Sequence, residues 1–150
     1  MHCAERGVVL FRSCGGCFVL VAGLLLAGCD QSGLGRIVPV KGTVSLDGKP
    51  VPSGSLLFRP DAAKGNTSKF EPAATINSDG SYSLFTAERE GAPPGWYKVS
   101  VVAQELNAKD PYAPAKSLVP TKYNDPETSG ISVEVVEQPA AGAYDLKLTR

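Results

Sequence analysis

Val40-Lys41-Gly42-Thr43-Val44-Ser45-Leu46-Asp47-Gly48 is the stretch that decides the fold. Val40, Gly42, Val44 and Leu46 alternate with Lys41, Thr43, Ser45 and Asp47, the period of two that turns one face of a strand to a core and the other to water. Asp47-Gly48 then supplies two residues that tolerate the left-handed backbone of a tight hairpin turn. A half-wet strand that folds straight back predicts an antiparallel sheet, and the chain on either side of it is read against that expectation.

Downstream the pattern repeats. Lys49-Pro50-Val51-Pro52 fits only an edge or irregular segment, because proline has no amide proton to give a ladder. Leu56 and Phe58 alternate with Ser55 and Arg59 in a second strand ended by Pro60, and residues 61–70 carry no period and read as a loop. A third strand at Ala73 to Asn77 turns through Ser78-Asp79-Gly80 into a fourth, Ser81 to Thr86, with Tyr82 and Leu84 inward. Ala87 to Gly95 is a charged loop, and Trp96 to Ala103 is the strongest strand, with Tyr97, Val99 and Val101 inward and Trp96 on the opposite register. Residues 104–130 hold four prolines and no sustained period. Ile131, Val133 and Val135, then Tyr144, Leu146 and Leu148, mark two last strands.

About seven strands joined mostly by tight turns predict an all-β fold, an antiparallel β-sandwich. The 16 glycines and 12 prolines agree with many turns, and no window after Cys29 has a helical period. Val40 to Val44 with Asp47-Gly48-Lys49-Pro50, Asp79-Gly80-Ser81-Tyr82 and Gly95-Trp96-Tyr97 together resemble the carboxypeptidase regulatory-like domain, a transthyretin-like or Ig-like sandwich. The resemblance runs from about Val40 to Leu148, and Lys122 to Gly130 is similar to a segment found in small bacterial lipoproteins with this domain. It implies an accessory or interaction module with no catalytic site of its own.

Upstream the chain changes character. Arg6 and Arg12 precede Cys17 to Ala27, 11 uninterrupted apolar or glycine positions, which is the build of a cleaved signal peptide and too short for a spanning helix of about 20 residues. Leu26-Ala27-Gly28-Cys29 resembles the bacterial lipobox. The resemblance implies that Leu26, Ala27 and Gly28 are read by the signal peptidase and that Cys29 becomes the acylated N-terminus. The predicted organisation is a leader at 1–28, lipidated Cys29 with a flexible tether to residue 37, and a sandwich domain at 38–150. Localisation at the cell envelope, tied to a membrane at its periplasmic face or at the cell surface, follows from the same motif.

What remains after Cys29 is chemically spare. The only histidine, His2, and the other cysteines, Cys3, Cys14 and Cys17, all lie in the leader. Without histidine or a free thiol there is no Ser-His-Asp or Cys-His nucleophile and no His-containing zinc site. The hydroxyisourate hydrolases of transthyretin-like fold, whose relatives use active-site histidines, are thereby set apart. Cys14 and Cys17 have C-x-x-C spacing but run into the apolar leader, which argues against a redox or metal pair. With 13 basic and 14 acidic residues from Cys29 onward, nothing steers the domain to nucleic acid.

No catalytic residue, metal site or small-molecule cofactor is therefore expected. Glu88, Glu90, Asp110, Asp125 and Glu127 lie in loops, where a carboxylate pair would be needed for hydrolysis; solvated loop charges are the simpler reading. Asn77-Ser78-Asp79-Gly80 has the opening of a calcium loop, yet Tyr82 to Phe85 continue a strand, which favours a hairpin turn. Trp96, Tyr112 and Tyr123 are the candidate partner-binding aromatics, for an envelope protein or a glycan, with capping of the sandwich as the competing role. The sequence reading is a lipid-anchored, non-catalytic binding or structural module. A carbohydrate-binding module using those aromatics is the alternative, and a carboxylate-dependent hydrolase the remoter one.

Overall fold

Leu46 pairs with Lys49 across Asp47 and Gly48, whose φ values of 50° and 79° are the left-handed pair that a two-residue hairpin requires. The turn joins β1 (Lys41–Leu46) to β2 (Lys49–Pro50). This computed structural model describes residues 34–105, 110 and 114–150. The predicted leader at residues 1–28, with the Cys14–Cys17 spacing and Leu26, Ala27 and Gly28, lies outside the described residues, as do Cys29 and Tyr112.

The rest of the ladder is β3 (Gly54–Pro60), β4 (Ala73–Ile76), β5 (Ser81–Ser83), β6 (Phe85–Thr86), β7 (Arg89–Glu90), β8 (Gly95–Val102), β9 (Gln104–Glu105), β10 (Lys116–Ser117), β11 (Ser132–Val135) and β12 (Leu146–Leu148). One sheet has β1 at its centre, flanked by β12 on one side and by β2 and β5 on the other. The second has the order β11-β8-β3-β4-β6-β7, and β9 and β10 form a separate hairpin. The pairing is antiparallel except between β1 and β12, which run parallel. The all-β fold is as the alternation predicts.

The strand count exceeds seven for a local reason. Residues 81–86 do not form one strand: β5 pairs with β1, β6 with β4, and Leu84 between them serves both sheets. Its amide donates to the Val40 carbonyl at 3.0 Å and its carbonyl accepts from Gly91 at 2.6 Å, while its side chain is fully buried. Period-two patterning sees only the inward side chains Tyr82 and Leu84, and these keep their register through the switch. The charged segment after Thr86 also pairs, as β6 and β7 close a hairpin over Ala87, whose φ is 53°. Within 104–130 the structure adds the β9–β10 hairpin and a 3-10 turn at Thr121–Asn124.

Between the sheets lie Val44, Leu46, Tyr82 and Leu146 from one side and Leu56, Phe58, Tyr97 and Val99 from the other, all buried. Phe58 sits between two tyrosines, its ring centroid 6.5 Å from Tyr82 and 6.0 Å from Tyr97, tilted as aromatic quadrupoles prefer. Both hydroxyls stay satisfied at the core rim: Tyr97 donates to the Pro93 carbonyl at 2.8 Å and Tyr82 to that of Tyr144 at 2.7 Å. The packed chain also extends upstream of residue 38. Leu34 is buried, Val38 pairs with Ala92, and Arg36 forms an ion pair with Glu137.

Two ends of the sandwich can be told apart from the ladder. At one, Asp61 follows Pro60 of β3 and its amide bonds the Trp96 carbonyl at the start of β8. At the other, the Asp47-Gly48 turn lies with Arg150, whose guanidinium is 3.4 Å from the Asp47 carboxylate.

Candidate functional site

Trp96 lies on the outer face of β8, beside Glu134 of β11, and the loop after β3 closes over it. Asp61 caps a 3-10 turn at Ala62–Lys64, its carboxylate accepting from the Ala63 amide at 3.1 Å. The turn delivers the Lys64 ammonium to 3.8 Å from the Trp96 ring centroid, a cation–π contact, and to 2.8 Å from the Ser132 hydroxyl. The Asn66 side-chain amide donates to the Trp96 carbonyl at 2.8 Å, fastening the same loop to the strand. A sugar stacking on this face has to displace Lys64.

Tyr123 is held differently. Its ring is buried, and its hydroxyl oxygen both donates to the Thr149 carbonyl and accepts from the Thr149 amide, each at 3.0 Å. The amide bond lowers its pKa from the ordinary phenol value. Tyr123 is thus a clamp between the 3-10 turn at Thr121–Asn124 and the end of β12. Because Thr149 lies at the Asp47 end and Trp96 at the Asp61 end, the two aromatics are not brought into one platform.

Three of the candidate carboxylates, Glu90, Glu127 and Asp125, are engaged with their surroundings. Glu90 is 2.8 Å from the Lys41 ammonium, and Glu127 bonds Lys98, which raises the pKa of that ammonium. Asp125 accepts from the Glu127 amide at 2.8 Å, closing a local turn. Glu88 lies exposed in the β6–β7 turn, and Asp110 is exposed. Asn77 to Ser81 form a hairpin: the Gly80 amide bonds the Asn77 carbonyl at 2.9 Å. Hydrogen bonds from the Ser81 hydroxyl and amide hold the Asp79 carboxyl below its ordinary pKa. Among the described residues no group of three or more His, Cys, Asp or Glu side chains is placed to hold a metal ion.

Among the described residues the large hydrophobic side chain that stands open is Phe85, which sequence reasoning did not select. It is 45% exposed on the outer face of the six-stranded sheet, opposite Ala73 in the register. A groove of about 500 Å³ runs past it, lined by Ser55, Ala73, Thr75, Asn77 and Ser83. Its polar groups are hydroxyls and an amide, with no charged side chain in the lining. The signal was present: Phe85 follows inward Leu84, so alternation sends a large ring to the wet face. Comparison of the chain with family models, with curated proteins and with solved structures finds no match.

Proposed function

We propose that this chain is a lipid-anchored module of a bacterial cell envelope, a β-sandwich of the carboxypeptidase regulatory-like kind that binds a protein or glycan partner without catalysing a reaction. The observation that carries the reading is the succession of a basic segment, an 11-position apolar run and Leu26-Ala27-Gly28-Cys29 ahead of a domain that contains no other cysteine. Acyl chains on Cys29 supply about 0.8 kcal/mol of membrane affinity per buried CH₂, and two chains suffice for stable anchoring. The test is metabolic labelling with a fatty acid in wild type and Cys29→Ala. Label in the wild type alone supports the anchor; equal labelling, or none in either, overturns it.

A glycan partner is favoured by the Phe85 groove, where one open aromatic stands among neutral hydroxyl and amide groups, a surface that suits an uncharged ring with hydroxyl substituents. Retention of the chain on polysaccharide columns, compared between wild type and Phe85→Ala, tests that choice. Retention that is unchanged in the variant removes the glycan reading and leaves the protein partner.

A further inference from the structure

We propose that the Leu34 end of the sandwich rests on the bilayer surface, with the shelf that half-buried Phe70 and Pro93 form around buried Leu34 against the lipid headgroups and Lys69 at its rim. The proposal builds on acylation of Cys29. Five residue steps separate Cys29 from Leu34, and a fully extended chain covers at most about 3.6 Å per residue, so the tether reaches about 18 Å. Leu34 is already buried in the domain, which fixes where that reach ends. β8 alone, with eight residues, is about 26 Å long at 3.3 Å per residue. The tether is shorter than the sandwich and brings one end to the membrane.

The surface around Leu34 suits such a contact. A shallow groove of about 480 Å³ joins Leu34 to Thr67, Ser68, Lys69, Phe70 and Pro93. Phe70 is half-buried and Lys69 exposed, the pairing of an apolar body with a cation that can reach anionic headgroups. The Asp47-Gly48 turn and Arg150 lie at the opposite end, which this orientation turns away from the bilayer. The β9–β10 hairpin belongs to that outward end too, since only Ala103 separates Gln104 from Val102, the last residue of β8, which pairs with Ser55 near the start of β3.

The experiment uses the full chain, processed in cells and reconstituted in vesicles of phosphatidylethanolamine with a minority of phosphatidylglycerol. Nitroxide labels are placed on Lys69→Cys and, separately, on Lys49→Cys at the far turn, and acylation of Cys29 is read by mass spectrometry. At position 69 the proposal expects about threefold lower access for an aqueous nickel chelate than at 49, together with raised access for oxygen, as for groups held in the headgroup boundary. Equal chelate access at the two positions in acylated protein overturns the orientation and leaves the anchor standing. Low access for both probes at 69 means that protein covers the shelf, and this also overturns it. A Cys29 found without acyl chains removes the anchor and the proposal together.

Discussion

The Tyr82 hydroxyl donates to the Tyr144 carbonyl at 2.7 Å, and Gly42 lies directly beneath that bond. A Cβ built on Gly42 stands 2.2 Å from the Tyr144 oxygen and 3.1 Å from the Tyr82 ring. Glycine is required here by close approach, since no other residue leaves the carbonyl its place. Gly42→Ala is expected to lower stability by about 3 kcal/mol, because backbone and a buried ring must both shift. Equilibrium urea unfolding checks it: the midpoint falls while the slope stays that of the wild type.

Removing the hydroxyl alone tests the other half of the same contact. Tyr82→Phe leaves the Tyr144 carbonyl without its donor and is expected to cost about 1–3 kcal/mol at neutral pH. Burial, reinforced by the Asp145 carboxylate, pushes the Tyr82 phenol well above its ordinary value. At high pH the unfolded chain therefore releases this proton while the folded chain keeps it. The associated stability is complete below the unfolded value near 10 and is lost as pH rises toward the folded one. Unfolding midpoints measured at neutral pH and above 10 should fall less steeply with pH in Tyr82→Phe than in wild type. Some alkaline slope remains in the variant, because burial also raises the Tyr97 phenol.

Lys64 and Trp96 offer a spectroscopic test, since Trp96 is the sole tryptophan of the chain. Lys64→Ala removes the ammonium 3.8 Å from the ring centroid. The expected loss is about 0.5–1 kcal/mol, the worth of a cation–π contact at a site open to water. Tryptophan emission should move to longer wavelength and acrylamide should quench it more readily. Unchanged emission would mean that the ring is shielded by something other than Lys64.

Leu84 and Phe85 stand side by side in the chain with opposite environments, 0% and 45% exposed. Leu84→Ala empties a site that joins both sheets and is expected to cost about 3 kcal/mol. Phe85→Ala on the outer face should stay within about 0.5 kcal/mol of wild type. Thermal unfolding of the two variants side by side separates the core from the candidate binding surface.

The same pair shows what the residues disclose by themselves and what they do not. Alternation is a property of side chains, so it reports inward Tyr82, Leu84, Tyr97 and Val99 correctly. It is silent on which sheet a backbone joins, and residues 81–86 therefore read as one strand where the chain crosses from β1 to β4. The parallel β1–β12 pairing is hidden for the same reason, since Val44 and Leu146 are far apart in sequence and any partner strand satisfies their pattern. Trp96 and Tyr123 read alike as loop or rim aromatics. Their different fates depend on Lys64 and Thr149, contacts made across sequence separations of 32 and 26 residues.

Tyr123 should prove to be a fastener of the C-terminal strand. Its hydroxyl makes two hydrogen bonds to the Thr149 backbone, and Tyr123→Phe deletes both while keeping the ring in its buried place. Thr149 is exposed, so water replaces the lost partners and the net cost is expected to be about 1 kcal/mol. The effect is local because Tyr123 touches the chain just beyond β12. Amide hydrogen exchange at Leu148 and Thr149 should quicken about fivefold, the factor that 1 kcal/mol supplies, while amides of β3 and β8 keep their protection. If exchange accelerates uniformly through both sheets, Tyr123 supports the whole sandwich and not one strand end. If Leu148 and Thr149 exchange as in wild type, the clamp contributes nothing to holding β12 in its parallel seat beside β1.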